Sequence, residues 1–227
     1  MKEDRKKTDL KEALRRAVPD SWLKERETFL RLGRKAGPIY ARLRLVDLIG
    51  VRSANAARIK PGARSFLFVC FGNIMRSPMA EALLRSSVAL AKLRDIQIAS
   101  AGLHAIPGKP AHPCAVAASS ELGLPLTHHR AQLLTGDMVS RADAIFAMDF
   151  QNKAELLALY PESAAKIRML SAYAEGAERY REIPDPYFGD IDTTRRCYGV
   201  LQICVGHLIA ELADADSARA IEESSAV

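Results

Sequence analysis

Cysteine is scarce in this sequence, with four in 227 residues: Cys70, Cys114, Cys197 and Cys204. So thin a supply, without framework spacing, argues against a disulfide-stapled secreted scaffold and for free thiols. Long apolar runs are also missing, and no stretch approaches the length expected of a membrane span. The start, "MKEDRKKTDLKEALRR", is charged and lacks the apolar segment of a signal peptide. Together these absences lead to the expectation of a soluble, cytoplasmic protein. His104, His112, His128 and His207 form no metal-ligand spacing, and solvated or packing roles are expected of them. There is no internal repeat.

What is present is a composition 48% hydrophobic, enough for a core of ordinary size. Charge is unevenly spread. Residues 1–60 hold 17 lysines and arginines against 8 acidic residues, a net of +9, whereas the remaining 16 basic and 19 acidic residues leave −3. The two parts are therefore treated separately. The first, residues 1–62, reads as a basic helical extension. Its three helices are expected over 9–18, 21–34 and 39–49, with Gly37-Pro38 as a stop and Pro61-Gly62 as the boundary.

From residue 65 the rhythm changes. "SFLFVC", "DIQIAS", "ADAIFAM" and "KIRML" have strand character. They alternate with helical segments: Pro78 to about Ala91, "PCAVAASSELGL" ending at Gly123, "QNKAELLALY" before Pro161, and a long last helix capped near Asp192. Alternation of this kind predicts an α/β fold, a three-layer α/β/α sandwich with a small parallel four-stranded sheet, over residues 63–213. Residues 214–227 are expected to fray.

The chemistry concentrates at residues 70–77, "CFGNIMRS". Cys70 stands where a strand ends and a helix begins, the end at which parallel sheets bind ligands. The helix start offers unpaired N–H groups and a positive dipole end to an anion. Gly72 lets the backbone turn closely, and Asn73 tolerates a left-handed conformation. The loop Phe71, Gly72, Asn73, Ile74, Met75 can thus curl its amides round a tetrahedral anion, and Arg76 can add a bidentate fork. The same positive field favours a Cys70 thiolate nucleophile, to which Ser77 can donate a hydrogen bond.

These residues, in "VCFGNIMRSPMAEALLR", resemble the signature of the low-molecular-weight protein tyrosine phosphatases. The likeness continues through "SAG" at 100–102, "HHRAQLL" at 128–134, "ADAIFAMD" at 142–149 and "IPDPYFGD" at 183–190, covering about residues 64–213. "SAGLHAIPGKPA" and "HHRAQL" are more similar to the bacterial branch that works on tyrosine-kinase and exopolysaccharide systems. The resemblance implies Cys70 as nucleophile, Arg76 as phosphate ligand and Asp185, in "DPY", as general acid. It implies a supporting network of Asn73, Ser77, Ser100 and His129, and a substrate pocket walled by Tyr187 and shaped near Leu103. It implies no cofactor and no metal. The partner would be a phosphotyrosine protein or a small aryl phosphate, with a bacterial tyrosine kinase as one source. Where the family commonly has a second cysteine before the arginine, this chain has Met75, so a disulfide with that neighbour cannot protect Cys70.

Two rival readings remain at this point. A thioredoxin-coupled arsenate reductase shares such a loop but needs two further cysteines. Cys197 and Cys204 lie about 10.5 Å apart along one helix, too far to bridge. Alternatively, the basic extension is a partner-binding module for an acidic protein or, at residues 1–60, for an anionic membrane surface. Its few aromatics and lack of a nucleic-acid motif argue against nucleic acid.

Overall fold

The computed structural model describes residues 20–50, 59–174 and 181–225. The helix expected over 9–18 and most of the segment preceding Pro61-Gly62 lie outside the described residues. Four strands, β1 (Ser65–Cys70), β2 (Gln97–Gly102), β3 (Ala144–Ala147) and β4 (Ile167–Met169), form one parallel sheet in the order β2-β1-β3-β4. The helices are α1 (Asp20–Leu48), α2 (Arg76–Leu90), α3 (Pro113–Glu121), α4 (Gly136–Arg141), α5 (Phe150–Leu159) and α6 (Ile191–Ser225). The short α4 had no counterpart in the sequence expectations.

Strand β1 shows why a continuous apolar run suits this sheet. Successive side chains point to opposite faces, and both faces are covered. Phe66, Phe68 and Cys70 enter one core with Met79, Leu84, Ala115, Tyr198 and Leu201. Leu67 and Val69 enter the other with Ile145, Phe150, Leu156 and Met169. Helices α2, α3 and α6 close the first core, and α1, α4 and α5 the second. The sheet grows from β1 in both directions, so the crevice between the C-terminal ends of β1 and β3 is a topological switch point.

Three expected boundaries move. The extension breaks at Gly33, not at Gly37-Pro38. Gly33 takes φ 68° and ψ −165°, a conformation open to glycine. The chain there folds back, so that the Tyr40 hydroxyl donates to Glu25 at 2.6 Å. Gly37 instead serves close packing, since a Cβ there would stand 3.0 Å from the Phe29 carbonyl. Helix α6 is capped by Asp190, whose Oδ1 accepts the Thr193 N–H at 2.8 Å, and Asp192 falls in its first turn. The helix also continues to Ser225, through the segment expected to fray.

The expectation about apolar length needs correction as well. Residues Ile191–Ser217 of α6 are long and apolar enough to cross a membrane by length and composition. That apolarity is accounted for inside the domain, where Tyr198, Leu201, Cys204, Val205, Leu208 and Leu212 are buried in the core.

The described part of the extension belongs to the packed body. Ala36 and Tyr40 of α1 are buried in the second core, with Leu32, Ile39 and Leu43 packed against it beside α5.

Candidate active site

The loop after β1 is shaped by its outward-facing carbonyls. Cys70 O accepts Leu103 N–H at 3.0 Å, Phe71 O accepts His104 N–H at 2.8 Å, and Ile74 O accepts His112 N–H at 3.0 Å. Met75 O accepts the Tyr198 hydroxyl at 3.2 Å. A loop held from outside by its carbonyls turns its amide side inward, and the Asn73 N–H meets Cys70 Sγ at 3.2 Å. Helix α2 then begins at Arg76 with no side-chain cap and no acidic residue in its first turn. Its unpaired N–H groups are open to an anion at the same place.

Asn73 is the keystone of that loop. It is fully buried and left-handed, at φ 52°. Its Nδ2 donates to Ser77 Oγ at 2.9 Å and to Ser100 Oγ at 2.8 Å, and its Oδ1 accepts the Gln132 N–H at 2.8 Å. Its carbonyl lies 2.7 Å from His129 Nε2. Every polar group of the residue thus has a partner, and the amide has no freedom to turn. Ser77 Oγ sits 3.0 Å from Cys70 Sγ, placed to stabilise a thiolate.

Arg76 is the charge centre. Only 2% exposed, it reaches Asp149 Oδ2 at 2.7 Å and the Ile183 carbonyl at 3.1 Å through Nη1, and Asp185 Oδ2 at 2.7 Å through Nη2. Burial alone would lower its pKa, but Asp149 and then Asp185 outweigh that and raise it further, so the guanidinium stays charged. Asp149 was absent from the sequence-derived site. It follows β3 directly at the switch point and caps α5, its Oδ1 accepting the Asn152 N–H at 2.6 Å. An aspartate immediately after a parallel strand was the available signal.

Cys70, Arg76 and Asp185 share one cleft of about 520 Å³. Its walls include Phe71, Ile74, Ile106, Tyr187 and Phe188, with Arg31, His104, Lys109 and Gln151 at polar positions. Tyr187 stands against His112, ring centroids 5.5 Å apart, and meets Phe188 edge-on at 4.9 Å. Leu103 does not line the cleft. It is half-buried against the second core, and its N–H holds the end of β1. His104 and Ile106 occupy the wall there. His104, expected to be solvated or merely packed, pairs with Glu155 at 2.5 Å and lies over Phe71.

Gly102 also went unassigned. A Cβ there would stand 2.8 Å from both Asn73 N and Phe71 O, so only glycine lets β2 pass behind the loop. Cys197 and Cys204 are buried and unpaired, and burial first of all pushes both thiols up to about 12. Neither is suited to relay a disulfide outward from Cys70.

Residues 65–218 match the family model described as low molecular weight phosphotyrosine protein phosphatase. The chain belongs to that family. Among curated relatives, the probable low molecular weight protein-tyrosine-phosphatase EpsP of Ralstonia nicotianae is 42% identical over 55% of this chain and 79% of its own. The protein-arginine-phosphatase of Bacillus subtilis is 33% identical over 64% of this chain and 95% of its own. The solved tyrosine phosphatase AmsI of Erwinia amylovora superposes with a TM-score of 0.59 at 32% identity, covering 66% of this chain and 93% of that one.

Proposed function

We propose that the protein hydrolyses phosphotyrosine through a covalent cysteinyl-phosphate. The observation that carries this is the meeting in one cleft of Cys70 Sγ, the Asn73 N–H, buried Arg76 and Asp185. Cys70 Sγ attacks phosphorus while the P–O bond to the aryl oxygen breaks. Asp185 delivers a proton to the leaving phenolate. Negative charge developing on the phosphoryl oxygens is met by the amides of residues 71–76 and by the Arg76 fork. For that, Arg76 Nη2 must exchange Asp185 for a phosphoryl oxygen, which also frees the carboxyl to face the leaving group. Water then attacks the thiophosphate, with the ionised Asp185 as base, and releases inorganic phosphate and the Cys70 thiolate.

Phe71, Tyr187 and Phe188 give the cleft aromatic walls that suit a phenyl ring. A second reading, phosphoarginine, is favoured by the likeness to the Bacillus subtilis enzyme. Parallel assays on a phosphotyrosine and a phosphoarginine peptide decide between them, and preference for phosphoarginine would overturn the proposal. We place the protein in the cytoplasm, a view supported by its free cysteines. A bacterial tyrosine kinase of the exopolysaccharide type is the proposed partner, a view supported by the resemblance of "SAGLHAIPGKPA" and "HHRAQL" to that bacterial branch.

A further inference from the structure

The residue three before Asp185 is tied to the N-terminal extension. Glu182 Oε2 meets Arg44 Nη1 at 2.8 Å, and Glu182 Oε1 accepts the Phe150 N–H at 2.8 Å. Arg44 is itself fixed. Its Nε donates to the Tyr40 hydroxyl and to Glu25 Oε2, each at 3.0 Å, and its Nη2 reaches Glu25 Oε1 at 3.0 Å. Its guanidinium carbon lies 5.2 Å from the Phe150 ring centroid and 5.3 Å from that of Tyr40. Both folded-back segments of α1 therefore converge on one cation, held in a flat aromatic slot. A planar guanidinium fits this three-sided contact in a way an ammonium cannot.

The strut leads straight into the site. Beyond Glu182, the Ile183 N–H bonds Met148 O at 2.8 Å and the Ile183 carbonyl accepts Arg76. Pro184 and Pro186 then flank Asp185. The acid-bearing loop thus hangs from two anchors, the end of β3 and the Arg44–Glu182 pair. The cation of the second anchor, Arg44, lies outside the family match at 65–218.

We propose that the N-terminal extension is a working part of the active site, with Arg44 as a positioning residue that braces the Asp185 loop through Glu182. This rests on the assignment of Asp185 as general acid. The brace fixes the loop from which the carboxyl, once released by Arg76, faces the leaving oxygen, so its loss shows when that oxygen needs a proton. Phenolate, basic like tyrosine's oxygen at about 10, needs one. p-Nitrophenolate, far less basic, depends on one much less.

The test compares kcat/KM, which reports only the step in which the aryl oxygen leaves, on phenyl phosphate and on p-nitrophenyl phosphate for the full chain, Arg44→Ala, Arg44→Lys and Asp185→Asn. It adds hydrogen–deuterium exchange of the amides at 181–190. A positioned general acid contributes about 10²–10⁴-fold, so Arg44→Ala should lose about tenfold on phenyl phosphate and less than about twofold on p-nitrophenyl phosphate. Exchange at 181–190 should accelerate, and Arg44→Lys should recover part of both effects. An equal loss on both esters, or an unchanged ratio even with a lower Tm, overturns the proposal. Unchanged exchange overturns the brace whatever the activity. If Asp185→Asn slowed both esters alike while exchange accelerated in Arg44→Ala, the acid assignment would fall. The brace would then stand as structure alone, overturning its catalytic role.

Discussion

Arg76 is held by two carboxylates before any substrate arrives, and the two have different duties. Asp185 must let go during turnover, whereas Asp149, anchored at the start of α5, keeps the fork aimed. Asp149→Asn replaces a charge-assisted bond of about 1.5–3 kcal/mol, so kcat/KM should fall about 10–100-fold with the fold intact. Steady-state kinetics beside a thermal melt check this, and a variant with wild-type kcat/KM would remove Asp149 from the site's machinery. Gly102 acts through space it does not occupy. In Gly102→Ala the new methyl would press on Asn73 N and Phe71 O. Competitive inhibition by inorganic phosphate should weaken along with kcat, and unchanged inhibition would show that the loop yields without harm.

At the scale of elements, α1 depends on its fold-back at Gly33. No atom stands within 4 Å of a Cβ built there, so Gly33→Ala costs backbone strain only, about 1–3 kcal/mol. An unfolding free energy lowered by that amount, read from urea titration, is the expected outcome. Between α5 and β4, Lys153 is 8% exposed, and burial, then nearby Arg168, lowers its pKa to about 8. Between about pH 8 and 10.5 the unfolded chain therefore binds more protons than the folded one, and stability rises with pH. From pH 7.5 to 10 the wild type should gain about 1–3 kcal/mol on Lys153→Met, read from urea unfolding at the two pH values. A constant difference would contradict the burial argument.

The elements also show what was legible beforehand. Residues 70–77 could be read because strand, loop and helix are contiguous there, and each residue type carries its own reason. Asp149 and Gly102 could not, because their meaning depends on which strands flank β1 and in what register. The break in α1 was misplaced because proline is the stronger punctuation mark in sequence. Near the start of a helical segment it forfeits little of the hydrogen-bond ladder, and the fold-back instead needed glycine's φ range.

For the whole molecule, the described part of the basic extension and the domain that follows form one packed unit. The described part of the extension buries Ala36 and Tyr40 in the second core and reaches the catalytic cleft at Arg31, whose Nη2 donates to Gln151 at 2.7 Å. A purely detachable docking arm would not contribute to the core. Binding by residues 1–19 is a separate matter, outside the described chain.

The central claim is that Cys70 carries the phosphoryl group. The most direct measurement is hydrolysis of p-nitrophenyl phosphate in EDTA by wild type, Cys70→Ser and Asp185→Asn, with acid-quenched samples of each analysed by peptide mass spectrometry. Metal-independent turnover, abolished in Cys70→Ser, with a phosphoryl group trapped on Cys70 of the active protein, is the predicted result. Turnover that survives in Cys70→Ser, or an active enzyme that never carries phosphate on Cys70, would contradict it.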